Sequence, residues 1–90
     1  MITEELAGFL SAWCSLDCDP GETTALLNGP SRDYFLSWLP HDLEAAIRTG
    51  SLTPEAMEDL THFAFDDQAA VNGWIRENWK TWRFEGPPPV

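Results

Sequence analysis

Residues 3–22 are TEELAGFLSAWCSLDCDPGE, and this stretch contains one complete helix and the start of the next. Thr3 is a favoured N-cap residue, and apolar side chains then recur with helical spacing at Leu6, Phe9, Leu10, Trp13 and Cys14. The segment Asp19-Pro20-Gly21-Glu22 combines an N-cap residue, a proline at the first helical position and a glutamate three residues after the cap. The stretch therefore predicts two helices separated by a tight acidic turn.

Helical spacing and helix-breaking residues continue to alternate along the rest of the chain. Breaks or new starts are predicted at Asn28-Gly29-Pro30, Ser31, Pro40, Gly50, Thr53-Pro54 and at Asp66 or Asp67. Between these positions the apolar residues keep a helical period. The fifth segment has Met57, Leu60 and Ala64, and the last has Val71, Trp74, Ile75, Trp79 and Trp82.

These patterns predict an all-α fold, a compact bundle of five or six short helices. No stretch of useful length alternates apolar and polar residues with the period of two that is typical of a strand. Ninety residues are enough for one domain, which we place at residues 1–85 as a single helical domain. Gly86 and the three prolines after it predict a Pro-rich flexible tail at residues 86–90.

The chain is strongly acidic, with 15 Asp and Glu residues against five Lys and Arg and a formal net charge of −10. The excess is concentrated in residues 1–75, which contain 13 acidic residues but only Arg32 and Arg48 as basic ones. Such a charge favours the capture of basic partners. Direct nucleic-acid binding is not predicted, because phosphate contacts need a positive surface.

Two groups of acidic residues are candidates for binding a basic protein. One lies on the fifth helix and the loop after it, in a segment that has no basic residue between Thr49 and Ile75, and the other is the acidic turn near the N-terminus. The candidate carboxylates are Glu55, Glu58, Asp59, Asp66, Asp67, Asp17, Asp19 and Glu22. The alternative is a solvated face that keeps the protein soluble, although such faces usually interleave charges of both signs.

The last helix is a second candidate interface, because tryptophan and arginine are enriched among binding hot spots. Trp79 and Arg83 are the candidate contact residues there. The alternative is that the tryptophans pack inward and the basic residues neutralise the acidic body. The outer face of the first helix carries small residues, including Gly8 and Ser11, which fit either self-association or a bare surface. We expect a monomer or a weak homodimer.

No catalytic or metal site is predicted. His41 and His62 lie 21 residues apart and have no nucleophile at a recognisable spacing, so the chain is not expected to be an enzyme or to need a cofactor. That separation also argues against a zinc site with Cys14 and Cys18. The acidic turn lacks the glycine and glutamate positions of a calcium-binding loop. Cys14 lies on the apolar stripe, which predicts a core thiol.

A cytoplasmic location without membrane association is expected. The N-terminal residues lack the positive region and apolar run of a signal peptide. No stretch approaches the roughly 20 apolar residues that a membrane-spanning helix needs. Because disulfides are rare in a reducing cytosol, Cys14 and Cys18 are not expected to pair.

The chain resembles the small immunity proteins of contact-dependent growth inhibition systems, which are acidic, mostly helical and of similar length. The likeness lies in Phe9-Leu10-Ser11-Ala12-Trp13, in the acidic turn Asp17-Cys18-Asp19 before a short helix, and in Val71-Asn72-Gly73-Trp74-Ile75. This resemblance implies a protein that binds and neutralises a toxin domain, often a nuclease.

Two other functions fit the same composition. One is a phage-encoded inhibitor of host defence, such as an anti-CRISPR protein, which commonly places carboxylates where the phosphates of a nucleic acid would lie. The other is a regulatory adaptor module that docks a basic segment of a larger assembly without inhibiting it. In all three functions the partner is a basic protein, either a toxin nuclease, a subunit of a defence complex or another assembly component.

Overall fold

Six α-helices follow one another in the computed structural model, which describes residues 2–90. They are α1 (Glu4–Trp13), α2 (Pro20–Leu27), α3 (Arg32–Leu36), α4 (Leu39–Arg48), α5 (Pro54–Thr61) and α6 (Gln68–Thr81). No strand occurs in this described part of the chain. The prediction of an all-α bundle of five or six short helices is therefore confirmed.

Four of the helices begin at a predicted cap whose side chain accepts a hydrogen bond from the first turn. These bonds run to Thr3 Oγ1 from Leu6 N (3.2 Å), to Asp19 Oδ1 from Gly21 N (2.9 Å), to Thr53 Oγ1 from Ala56 N (3.1 Å) and to Asp67 Oδ1 from Ala70 N (2.9 Å). Each bond satisfies a backbone donor that has no partner within its helix. Of the two aspartates predicted for α6, Asp67 is therefore the cap.

One hydrophobic core joins the helices. α1 packs against α4 and α5, and α5 also packs against α6. Leu6, Phe9 and Leu10 of the predicted α1 stripe are buried together with Cys14. The Phe9 and Trp82 rings meet edge to face with centroids 5.8 Å apart, so the first helix contacts the end of the last one. The packing of α1 against α5 and against Trp82 determines which loops lie next to each other.

The ends of α2 and α6 converge on the Arg32 guanidinium. Its Nη1 donates to the carbonyl oxygens of Leu27 at 3.0 Å and Trp82 at 2.9 Å, and its Nη2 donates to the Arg83 carbonyl at 2.6 Å. The last carbonyls of a helix have no intrahelical partner and carry partial negative charge. Arg32 thus holds two helix ends together across 50 residues of sequence.

α5 is shorter than the apolar pattern predicts. The helix ends at Thr61, and His62 adopts the left-handed conformation with φ of 65° and donates its backbone N–H to Glu58 O at 2.8 Å. A left-handed residue at this place stops a helix because the chain turns away from the helix axis. Ala64 is consequently exposed and non-helical, which corrects its assignment to the apolar face.

Both ends of the Pro-rich segment 86–90 contact the body of the protein. Trp79 Nε1 donates to Gly86 O at 3.2 Å, and Val90 packs against the hydrophobic core. Phe84, just before this segment, is buried and meets Trp79 edge to face at a centroid distance of 5.1 Å. These contacts place Gly86 and Val90, the two ends of the segment predicted to be a flexible tail, against the body of the protein.

Candidate partner-binding site

A single long-range hydrogen bond brings the two predicted acidic groups to the same part of the molecule. Leu16 N, in the loop between α1 and α2, donates to Thr61 O at the end of α5 over 2.8 Å. Asp17 follows directly after Leu16, while Glu58 and Asp59 lie in the last turn of α5. The acidic turn and the acidic end of α5 are therefore neighbours, although about 40 residues separate them in the sequence.

Local hydrogen bonds fix the shape of the loop that carries Leu16. Cys18 Sγ donates to Ala12 O at 2.9 Å and lies 3.3 Å from Ser15 Oγ. Thr23 is buried, and its hydroxyl donates to Trp13 O near the end of α1. These bonds engage carbonyls of the last turn of α1, which would otherwise lack partners. The loop is thus held against its own helix with Leu16 turned outward.

Two large apolar side chains are exposed at this junction. Leu16 is 60% exposed and Phe63, just after the end of α5, is 39% exposed. Between α1, α2 and α6 lies a pocket of about 100 Å³, whose lining includes Phe63, Trp13, Cys18, Pro20, Trp74 and Asn78. We call the two side chains, this pocket and the adjacent carboxylates of Asp17, Asp19, Glu58 and Asp59 the Leu16–Phe63 surface.

The other predicted carboxylates lie on the same helices and loops, farther from Leu16 and Phe63 along the chain. Glu22 is exposed in the first turn of α2, and Asp66 and Asp67 are exposed in the loop that leads from Phe63 to α6. Glu55 lies in the first turn of α5, about 9 Å from Thr61 along the helix axis at 1.5 Å per residue. Asp19 and Asp67 also act as helix caps, so their carboxylates have a structural role as well.

None of the carboxylates of the Leu16–Phe63 surface forms an ion pair within the described residues. Within residues 2–90 the one ion pair joins Arg48 to Glu44, on the outside of α4. The other basic residue of the first 75 positions, Arg32, donates to the carbonyls at the helix ends. Uncompensated charges of one sign on a surface produce a field that attracts oppositely charged molecules.

The two cysteines near this surface are free thiols with different environments. Cys14 is buried, and burial together with the neighbouring Cys18 raises the pKa of its thiol to about 12. Because the thiolate is the reactive form, Cys14 is inert at neutral pH and acts as a small apolar core residue. Among the residues that the structure describes, no three His, Cys, Asp or Glu side chains are grouped as metal ligands.

Trp79 is not available as a contact residue, which corrects the prediction for the last helix. Its side chain is only 6% exposed, and its indole N–H is already bonded to Gly86 O. Trp79 occupies the buried stripe of α6 together with Val71 and Ile75, as the helical period requires. Arg83 is exposed, with a left-handed backbone at φ of 58°, and its carbonyl accepts from Arg32.

Leu16 and Phe63 are not among the residues that the sequence predicts for an interface, which are charged residues and residues of α6. A signal for them exists in the sequence. Each is an apolar residue two or three positions beyond a helix end, in a loop that also contains aspartate. Apolar residues at such positions are either buried beneath the loop or exposed to solvent. The helical period does not distinguish these two cases.

No protein-family model, curated protein or solved structure matches this chain. The likeness to immunity proteins therefore stays a prediction. In the described part of the chain, none of the six helices has the length and apolar character that crossing a bilayer requires.

Proposed function

We propose that the protein is a small inhibitor that docks its Leu16–Phe63 surface on a basic surface of another protein and blocks it, as a toxin-neutralising immunity protein does. The observation that supports this proposal is the meeting of unpaired carboxylates with two exposed apolar side chains at one junction. Protein interfaces commonly combine an apolar centre with a polar rim, and this surface has that composition.

The two parts of the surface have different tasks in this proposal. Full burial of a leucine or phenylalanine side chain contributes about 1.5–3 kcal/mol, so Leu16 and Phe63, which are already partly covered, supply part of that each. Their contribution slows dissociation. The surrounding carboxylates mainly accelerate association with a basic surface and select against acidic ones.

A basic surface on the partner is the feature that links this proposal to nucleic-acid-binding proteins. Such proteins neutralise phosphates with lysine and arginine, and a carboxylate-rich surface competes for the same side chains. We infer that the blocked activity is a nuclease or another function that depends on nucleic-acid contact. The free thiols of Cys14 and Cys18 support the cytoplasmic location that the sequence predicts, since oxidising compartments favour disulfides.

The decisive experiment compares two charge-reversal variants with the same change in net charge. Glu58→Lys with Asp59→Lys alters the Leu16–Phe63 surface, and Asp33→Lys with Glu85→Lys alters exposed carboxylates on α3 and after α6. Tagged wild-type protein is used to capture a partner from lysate, and the purified partner is then titrated with all three proteins. We expect the first variant to lose affinity and the second to keep most of it.

Salt dependence separates steering from apolar contact. Since the screening length falls from about 10 Å at 0.1 M to about 3 Å at 1 M salt, the association rate should drop steeply over this range while the dissociation rate changes little. An association rate that is flat with salt, or equal loss of affinity in both charge-reversal variants, would contradict the proposal. The identity and activity of the captured protein distinguish the three candidate partners, which are a toxin domain, a defence-complex subunit and an assembly component that is not inhibited.

A further inference from the structure

A second concave region lies on the other side of α1 and is lined almost entirely by aromatic rings. This groove has a volume of about 270 Å³ and is formed by α1, α3 and the residue before α4. Its volume is at the low end for ligand sites, so it suits one side-chain-sized group. We call it the aromatic groove, and its lining is Phe9, Trp13, Tyr34, Phe35 and Trp38 with Gly8 and Glu5.

The rings of the aromatic groove form one connected cluster. Tyr34 contacts Phe35 with centroids 5.1 Å apart and Trp38 with centroids 6.3 Å apart, and Phe9 lies 5.8 Å from Phe35. These contacts fix the ring orientations, yet Tyr34 remains 60% exposed. α3 has no buried residue at all, although three of its five residues are large and apolar. Phe9 is thus buried at the base of the cluster, Phe35 and Trp38 are partly exposed, and Tyr34 is ordered but uncovered.

Glu5 is the one charged residue that lines the aromatic groove. It is exposed, and it lies one turn before Phe9 on the same face of α1. An aromatic ring face carries partial negative charge and attracts cations, and a carboxylate beside it adds to the same attraction. The groove is thus complementary to a positively charged group that also has an apolar stem.

Gly8 gives an independent indication that the groove is open space. A Cβ at Gly8 would meet no atom within 4 Å, so packing inside the protein does not require glycine there. Glycine is also less favourable than alanine in the interior of a helix. Its position in the wall of the groove leaves room beside Phe9 and Trp13 that a longer side chain would fill.

We propose that the aromatic groove binds the guanidinium group of an arginine that projects from the basic partner. Arginine is favoured over lysine because its planar, weakly hydrated cation stacks on aromatic faces. The assignment of the arginine to a partner rests on the proposed function, whereas the affinity of the groove for a guanidinium does not. The groove is a contact site in addition to the Leu16–Phe63 surface, and Trp13 lines the cavities of both.

The test uses a short peptide with one arginine and the same peptide with citrulline, which has the same shape but no charge. Amide and indole chemical shifts of the intact protein are recorded during titration with each peptide. We expect shifts at Glu5, Gly8, Tyr34 and Trp38, and an affinity for the citrulline peptide that is lower by about tenfold. Equal affinity for both peptides, or shifts confined to Leu16 and Phe63, would overturn the proposal.

Two variants locate the binding. Gly8→Leu should fill the groove and abolish the arginine-specific shifts, while the control Gly73→Leu, in the interior of α6, should leave them unchanged because a Cβ there meets only Arg76 Nη2 at 3.9 Å. Glu5→Gln should lower the affinity for the arginine peptide several-fold and leave the affinity for the citrulline peptide unchanged. Circular dichroism checks that each variant is folded.

If the Gly8→Leu protein bound the arginine peptide as tightly as the wild-type protein does, the proposal that the aromatic groove binds arginine would be wrong. The proposed function fails separately, when Glu58→Lys with Asp59→Lys keeps full affinity for the captured partner.

Discussion

At the C-terminal end of α6, two tryptophan side chains and the guanidinium of Arg32 from α3 are packed or bonded within the protein. Trp79 and Trp82 are buried, and the carbonyls that end the helix accept hydrogen bonds from Arg32. At the Leu16–Phe63 surface, two apolar side chains are exposed and the carboxylates beside them have no ion pair within the described residues. The first region has the composition of a binding hot spot, and the second has the accessibility of one.

The difference shows that composition alone does not identify an interface. Tryptophan and arginine are enriched at hot spots because they combine apolar area with strong hydrogen-bond donors. The same properties make them effective inside a small domain, where buried donors must find acceptors. At the end of α6 the indole N–H of Trp79 and the guanidinium of Arg32 are bonded internally, so neither donor is left for a partner.

The largest effect is expected for Trp79→Ala. The substitution removes a buried indole that packs on Phe84 and donates to Gly86 O, so we expect a loss of about 3–5 kcal/mol in the free energy of unfolding. Urea denaturation followed by circular dichroism measures it. If Trp79 were a contact residue for a partner, the variant would keep its stability and lose affinity, and that result would remove the contrast between the two regions.

A smaller but still large effect is expected for Arg32→Ala. Removing the guanidinium leaves the carbonyls of Leu27, Trp82 and Arg83 without this donor, and we expect a loss of about 2–3 kcal/mol in the free energy of unfolding. Arg48→Ala is the matched control, because Arg48 is 74% exposed and pairs only with Glu44 one turn away. The free energy of unfolding of Arg48→Ala should fall by no more than about 0.5 kcal/mol. Similar losses in the two variants would mean that Arg32 does not anchor the helix ends.

Local features of the fold could be predicted from the sequence, because they depend on residues a few positions apart. The caps at Thr3, Asp19, Thr53 and Asp67 each need a side-chain oxygen and an amide within three residues. The buried stripe of α1 needs only the helical period. The end of α5 was not predicted, because His62 adopts a left-handed conformation that is uncommon for residues other than glycine.

The candidate site was predicted only in part, because its assembly depends on contacts between distant segments. Asp17, Glu58 and Asp59 were identified as separate groups, but the bond from Leu16 N to Thr61 O that makes them neighbours has no sequence signal. That hydrogen bond forms because α1 packs against α5. The same holds for Arg32, because its bonds to the carbonyls at the end of α6, 50 residues away, have no sequence signal either.

The smallest effect on stability, and the sharpest contrast, is expected for Leu16→Ser. Because Leu16 is 60% exposed, the free energy of unfolding should change by no more than about 0.5 kcal/mol, while affinity for the partner falls. Leu36→Ser is the matched control, since Leu36 is 37% exposed on α3 and lies outside both the Leu16–Phe63 surface and the aromatic groove. Denaturation and titration of both variants provide the two measurements. Equal affinities of the Leu16→Ser and Leu36→Ser proteins would mean that the apolar centre of the surface does not contact the partner, and the acidic rim alone would then have to account for binding.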